Sequence, residues 1–414
     1  MRTQEADLPE SPYPMILVEE AVEIILREVH PLPPVRLPFT DVLGLVLAED
    51  VHAAEPMPPF RAASVDGYAV IASDPSPVRH LAGEQPAGYV GDAKVTPGTA
   101  VRVTTGAPIP PGADAVVMVE FTEERDGQVQ IKTNVEAGSN IRPVGQDLAQ
   151  GQLVLARGAV LGAPEVGLLA MVGQTKVSVH PAPRVGVMST GDELVEPGES
   201  LKRGQIRDAN RFSLMSAVRE VGGVVVNLGM VRDRGGDLQE AIERGLCQAD
   251  AILTSGGVSM GQLDLVKPYL ASRGTIHFGR VRAKPGKPVT FATVDGVPVF
   301  AMPGFPVSAL VSFEIYVRPA LLKMAGHTRL HRPRRRVKLT HEVNHNAGRT
   351  EFQRAVVTRQ ADGRYTAATT GLQSSGRLLS MSGANALLIL PYQDGDFPAG
   401  AEVEALLTGP LQDS

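Results

Sequence analysis

Apolar positions alternate between two periods along this chain, and the change of period marks its organisation. Met15 to Val29 places Ile16, Val18, Val22, Ile25, Leu26 and Val29 on one side of a helix, with Glu19, Glu20, Glu23 and Glu28 interspersed. Pro31, Pro33 and Pro34 end it, and the stretch from Leu37 to Val51 reads as strand-like or short helical chain. From about Ala53 to Val144 short apolar runs are cut by Gly and Pro with no helical period, which predicts a β-rich domain. Asn140 to about Val160 reads as a hairpin carrying Asp147, and Ala163–Val172 as a short helix with Pro164 near its start and Gly173 beyond its end. Beyond Pro181 and Pro183 the periods alternate. Strands are expected at Val185–Met188, Val224–Val231 and Ala251–Leu253, and helices at Asn210–Val221 and Asp237–Cys247. Such alternation predicts a mostly parallel sheet with helices on both faces, whose ligands sit beyond the carboxyl ends of the strands. From Arg329 onward the runs Val337–Leu339, Ala386–Leu390 and Ala401–Leu406 read as a small β domain.

The fold class expected is therefore multidomain α/β plus β. Its parts are a helix-containing N-terminal domain (residues 1–50 with 145–182), an inserted β-rich domain (51–144), a central α/β domain (183–328) and a small C-terminal β domain (329–414). A chain of 414 residues exceeds one ordinary core, in keeping with several domains. The 43 Gly and 33 Pro are spread through it, which favours many turns and short strands over a disordered tract. A formal net charge of -5 implies no general attraction to nucleic acid or anionic membrane. The arginines at 334–336 lack interleaved aromatics and read as a solvated linker, and no segment is apolar enough to span a bilayer. With no apolar leader, a cytoplasmic location is expected. The single cysteine, Cys247, excludes an internal disulfide or multi-cysteine metal site and reads as a small apolar helix residue. His341 and His345 have metal-like spacing without an accompanying carboxylate motif and are expected at the surface.

Chemistry-bearing residues gather at the predicted strand ends. Ala251 to Asp264 runs from an apolar strand into Thr254, Ser255, Gly256, Gly257 and Ser259, then to Asp264 where a helix is expected to begin. Glycines let the backbone approach a ligand, and hydroxyls add donors, so the loop reads as an anion cradle. Ser189–Glu193 (S-T-G-D-E), Arg232-Asp233, K-P-G-K-P at Lys284–Pro288 and M-P-G-F-P-V-S-A at Met302–Ala309 fall at the same edge. Lys284 and Lys287 suit an oxyanion, whereas the carboxylates of Glu193, Asp233 and Asp264 join it only through a hard cation, for which Mg²⁺ is the natural choice. A phosphorylated ligand and a phosphoryl or phosphoanhydride step follow. Neither a P-loop string nor G-x-G-x-x-G occurs. In the β-rich domain Ser64–Val70 (S-V-D-G-Y-A-V) and Val103–Val117 form two further polar clusters, whose Asp66-Gly67 and Thr105-Gly106 also suit plain turns.

Taken in order, P-P-F with S-V-D-G-Y-A-V, T-G-A-P-I-P-P-G-A-D-A-V-V, N-I-R-P-V-G-Q-D, S-T-G-D-E-L, S-G-G-V-S-M-G-Q-L-D, K-P-G-K-P and P-G-F-P-V-S-A resemble the molybdopterin molybdenumtransferases, the family of bacterial MoeA proteins and the gephyrin E domain. The resemblance spans essentially the whole chain. It implies insertion of molybdate into adenylylated molybdopterin with Mg²⁺-dependent release of AMP, and an elongated homodimer whose sites are shared between subunits. By matching motif, Ser255, Gly256, Gly257 and Ser259 would cradle the pterin phosphate, and Thr254 leads into that loop. Glu193, Asp233 and Asp264 would hold metal or orient water, Lys284 and Lys287 would face molybdate or phosphate, and Pro303 and Pro306 would shape the pocket wall. Asp66 and Thr105 would complete the site of the other subunit, with Asp147 near the junction. The resemblance also implies a molybdopterin-adenylylating protein upstream and molybdoenzymes downstream as partners. Phe305, Gln262, Val65 and Arg61-Ala62 depart from the family's usual residues. Molybdopterin adenylylation and a non-catalytic gephyrin-like scaffold are the alternative functions.

Overall fold

The computed structural model describes residues 13–232, 234–257 and 265–413. They divide into two compact units, one built from the described parts of residues 1–36, 44–48 and 178–414, the other from residues 37–43 and 49–177.

The first unit is founded on a six-stranded sheet. Its strands are β1 (Arg184–Thr190), β2 (Val224–Val231), β3 (Ala251–Ser255), β4 (Thr275–Phe278), β5 (Thr290–Val294) and β6 (Val297–Met302). The order is β2-β1-β3-β6-β5-β4. β2, β1, β3 and β6 run parallel, with Val185 opposite Ala251 and Ile252 opposite Val299. β5 and β4 then add antiparallel at one side. Both faces are covered, which is why β3 is buried at all five positions and reads as one apolar run. Successive residues serve opposite faces. Ala251 and Leu253 pack with Leu214 and Phe300 in a core that includes Val18, Ala21 and Ile25 of the N-terminal helix, whereas Ile252 packs with Ile242, Leu270 and Val299. The N-terminal helix Val18–Glu28 thus has the amphipathic character expected, and the helices Asn210–Glu220 and Gly235–Gln248 follow their predicted positions within a residue or two.

The C-terminal strands form a closed barrel. Thr350–Arg359 pairs with both Tyr365–Thr369 and Ala386–Leu390, and the ring is completed through Arg334–Leu339 and Glu402–Leu407. Closure leaves no free edge along the ring. The arginines at 334–336 are exposed positions of the strand Arg334–Leu339 and not a linker, because the alternation brings Val337 and Leu339 inward. His345 is also not a surface residue. Its ring is buried between Glu351, near the start of the strand Thr350–Arg359, and the carbonyl of Pro391, just past the strand Ala386–Leu390.

The second unit carries the expected β-rich sheet, with strand order Ala115–Met118, Gly67–Val70, Thr99–Val103, Val78–Gln85, Gln128–Ile131, Thr122–Arg125. The stretch from Asn140 is not a hairpin. Ile141–Arg142 pairs with Ala62–Ala63, and Leu153–Leu155 with Val51–His52. Both partners lie earlier in the chain, so local turn chemistry could not reveal them. Ala163–Met171 is helical with Pro164 in its first turn, as predicted. No helix among the described residues is long and apolar enough to cross a membrane.

Candidate active site

The carboxyl ends of β1, β3 and β6 converge on a cleft of about 830 Å³ in the first unit. That volume suits a drug-sized or nucleotide-sized ligand. β3 ends at Ser255 and continues into Gly256 and Gly257, with φ of 97° and 65°. A β-carbon on Gly256 would stand 2.5 Å from the Thr190 carbonyl oxygen, and one on Gly257 would stand 2.9 Å from Val266 Cγ2. Both the left-handed backbone and the closeness of β1 therefore demand glycine here. Gly256 N–H donates to the Met302 carbonyl at 3.0 Å, which ties the loop to the end of β6.

Asn210 locks two walls of the cleft together. Its Nδ2 donates to Ser255 Oγ at 2.6 Å and to the Gly304 carbonyl at 2.7 Å. The neighbouring Asp208 is buried at 2% exposure, accepts from Ser189 Oγ at 2.5 Å and pairs with Arg211 Nε at 2.9 Å. Arg211 is held further by Glu196 and Asn227. A buried carboxylate thus fixes the hydroxyl at the end of β1 while its charge is balanced behind the cleft wall. Glu193 lies exposed at the front. Its carboxylate oxygens come within 2.6 and 2.7 Å of where a β-carbon on Gly191 would sit, so that glycine makes room for them. Arg207, Lys267, Arg280 and Lys287 also line the cleft, giving it an excess of cationic side chains.

Of the residues singled out from sequence, the structure gathers Glu193, Ser255, Gly256, Gly257, Lys287, Pro303 and Pro306 around this cleft. Thr254 is fully buried within β3, with no hydrogen-bond partner for its hydroxyl among the described residues. Lys284 does not line the cleft, and its Nζ lies 3.0 Å from Glu351 Oε1. Asp233, Ser259 and Asp264, and with them Gln262, lie outside the described residues. Asp66 and Thr105 belong to the second unit. There Asp66 Oδ1 accepts from the Thr105 N–H at 2.6 Å and from its hydroxyl at 2.8 Å. The backbone bond first and the hydroxyl second hold this exposed carboxyl below its ordinary pKa. Asp147, in the same unit, pairs with Arg142. Asn210, Asp208 and Arg280 escaped the sequence reading. The first two stand at a helix start, where polar residues are ordinary caps, and only tertiary structure turns them toward the cleft.

A doubly covered, mostly parallel α/β sheet with a glycine loop at its carboxyl edge, in a chain that also carries a β-rich sheet and a closed β-barrel, defines a multidomain α/β plus β protein. Three family models match in sequence: the MoeA N-terminal region (domain I and II) over residues 16–173, a probable molybdopterin binding domain over 186–323, and the MoeA C-terminal region (domain IV) over 336–408. The chain belongs to the MoeA family. It is 37% identical to molybdopterin molybdenumtransferase 2 of Mycobacterium tuberculosis, over 94% of this chain and 98% of that protein. It is also 37% identical to gephyrin of Dictyostelium discoideum over 97% of its own length, but spans only 63% of that longer relative. Among solved structures, the molybdopterin biosynthesis MoeA protein from Pyrococcus horikosii matches with a TM-score of 0.83 and 31% identity, covering 96% of this chain and 100% of that one.

Proposed function

We propose that this protein is a molybdopterin molybdenumtransferase that takes adenylylated molybdopterin and molybdate and releases AMP as molybdenum enters the dithiolene. The reading rests above all on the cleft itself, where the Ser255–Gly257 cradle, Lys287 and Arg280 face one space of about 830 Å³ with Glu193 at its front. The Ser255 hydroxyl and the Gly257 end of the cradle would bind a phosphate, and the cations would hold the second oxyanion against it. Asn210 keeps the Ser255 hydroxyl and the Gly304 turn in fixed relation, so the donors are placed before a ligand arrives.

Mg²⁺ suits this donor set. It needs few protein carboxylates when phosphate oxygens and water complete its shell, and Glu193 is a carboxylate exposed to the cleft with space cleared for it by Gly191. Asp233 and Asp264 would join Glu193 in holding it. When bound, the ion would supply neutralisation of the phosphate charge that otherwise resists attack on the adenylate. In this reading a homodimer brings Asp66 and Thr105 of one subunit to the cleft of the other, and the protein works in the cytoplasm between a molybdopterin-adenylylating protein and the enzymes that receive the cofactor.

The test is AMP release from purified protein given adenylylated molybdopterin and Mg²⁺, with and without molybdate. Molybdate-dependent release of AMP, with a product that activates an apo-molybdoenzyme, is expected. Consumption of ATP and free molybdopterin to form the adenylate would make the protein an adenylyltransferase, and binding without turnover would make it a scaffold. Asp264→Ala is expected to keep the fold and lose AMP release; normal turnover by that variant would move the chemistry away from the cradle.

A further inference from the structure

Phe305 is 63% exposed, the highest value among aromatic side chains of the described residues. An exposed apolar side chain is ordinary by itself. What sets this one apart is where it stands and how firmly its backbone is held. It lines the cleft beside Gly304, and a β-carbon on Gly304 would come within 3.7 Å of Gly256 Cα, so only one residue separates the aromatic ring from contact with the cradle.

The backbone is fixed from three directions. The Gly304 carbonyl accepts from Asn210 Nδ2 at 2.7 Å, and the Phe305 carbonyl accepts the Ala309 N–H at 2.9 Å in the first turn of the helix Pro306–Ser312. Val307 N–H donates to the Ser375 carbonyl at 3.1 Å, which brings in the loop carrying Gly376. The ring itself lies beside Gly376, with Cδ1 3.6 Å from the position a β-carbon there would take. Glycine at 376 places no side chain against the ring, and Phe305 and Gly376 both line the cleft. An exposed ring on a fixed backbone, lining a largely apolar cleft that also carries cationic side chains, is the arrangement that stacks flat heterocycles.

We propose that Phe305 is a stacking platform for the planar nitrogen heterocycle of a ligand whose phosphate lies in the Ser255–Gly257 cradle. This rests on the reading of the cleft as an anion site, and it names what the anion is attached to. Adenine and pterin both present such a ring, and they are separated experimentally.

The chain contains no tryptophan, so Phe305→Trp introduces a single indole reporter. In the full-length variant, the emission is expected to be quenched on titration with AMP if adenine is the stacked ring, or with 6-hydroxymethylpterin phosphate if it is the pterin; inorganic phosphate is expected to leave it unchanged. Phe305→Leu, which keeps an apolar side chain but no aromatic face, is expected to weaken binding of the quenching ligand about tenfold in calorimetry while leaving phosphate affinity unaltered. Unchanged emission with both heterocycles, or wild-type affinity in Phe305→Leu, would overturn the proposal. So would emission that shifts with protein concentration in the absence of ligand, because a second copy would then cover the ring. Quenching without any AMP release by the wild-type protein would retain the platform and reject the transferase; turnover without quenching would do the reverse.

Discussion

Lys284 and Glu351 are joined by an ion pair of 3.0 Å, and the second oxygen of Glu351 lies 3.0 Å from His345 Nδ1. His345 Nε2 lies 2.9 Å from the Pro391 carbonyl, which can only accept, so Nε2 is a donor there. Glu351 is therefore the buried centre of a chain of charged and polar groups that fastens the K-P-G-K-P segment to the barrel strand Thr350–Arg359, beside the short ladder that pairs Lys284 with Glu351. Glu351→Ala would leave the buried His345 ring without its partner while Lys284, 36% exposed, turns to solvent, and a loss of about 1–3 kcal/mol in urea unfolding is expected. Glu351→Gln, which keeps an acceptor and the volume, is expected to lose less. Equal stability of Glu351→Ala and wild type would show that the network holds nothing. The same geometry separates the two lysines. Lys287→Ala is expected to raise KM for the phosphorylated substrate at least about tenfold through lost charge-assisted bonds, while Lys284→Ala acts chiefly on stability.

Asn210 spans the cleft floor through Ser255 Oγ and the Gly304 carbonyl. Asn210→Ala removes both bonds at once while leaving the helix that begins there packed through Leu214 and Val218. A stability loss of about 1–2 kcal/mol is expected, together with a fall in kcat/KM of about tenfold or more, because the cradle is no longer held before binding. Asn210→Asp would place a carboxylate oxygen opposite the Gly304 carbonyl, two acceptors without a donor, and is expected to be no better than alanine. Steady-state AMP release beside thermal unfolding checks both.

Gly256 has a left-handed φ of 97° and no space for a β-carbon beside Thr190. Gly256→Ala must displace the loop from β1 or strain it, and a cost of about 1–3 kcal/mol is expected with loss of anion binding. Gly44, also left-handed but with open space around it, provides the control. Gly44→Ala is expected to carry only the backbone penalty and to bind phosphate normally by calorimetry.

Much of this was legible because it is local. The run Ala251–Leu253, the helix near Asn210–Glu220 and the strand Val224–Val231 each announce themselves by period, and their alternation implies the parallel sheet and hence the edge where the cleft opens. The antiparallel addition of Thr275–Phe278 and Thr290–Val294 was not legible, since short apolar runs carry no sign of direction. His345 looked like a surface residue because its burial depends on the barrel closing over it, with Pro391, 46 residues on, meeting one side of the ring and Glu351 the other. Ile141–Arg142 suggested a local hairpin for the same reason, its partner Ala62–Ala63 having been passed long before. Lys284 and Lys287 share one motif, and only the barrel strand bearing Glu351 tells them apart.

Asp66 is held below the ordinary carboxyl value of 3.8 by the Thr105 N–H and then by the Thr105 hydroxyl. A carboxyl depressed in the fold favours folding above its unfolded pKa of about 3.9, and that contribution is lost as pH falls through the lower folded value. The sensitive window therefore lies below about pH 4, well away from neutral pH. Thr105→Val removes the hydroxyl bond and keeps the backbone one, so carboxyl NMR titration is expected to show Asp66 moving up part of the way. No movement would mean that the backbone bond alone sets the value.

The division of the proposed site between subunits has its own signature. Asp66 with Thr105 lies in one unit of the chain and Glu193 with the cradle in the other. If one subunit's Asp66 serves the other subunit's cleft, Asp66→Ala and Glu193→Gln homodimers are each inactive, because every cleft lacks one of the two groups. A mixed dimer concentrates both losses in a single cleft and leaves the other intact. Random reassembly of an equal mixture makes about half the dimers mixed, each with one working cleft of two, so AMP release is expected to recover to about a quarter of wild type. If each cleft instead draws Asp66 from its own chain, every cleft in a mixed dimer still carries one lesion. Recovery of activity on mixing, measured after dissociation and reassociation, therefore distinguishes a shared site from a self-contained one.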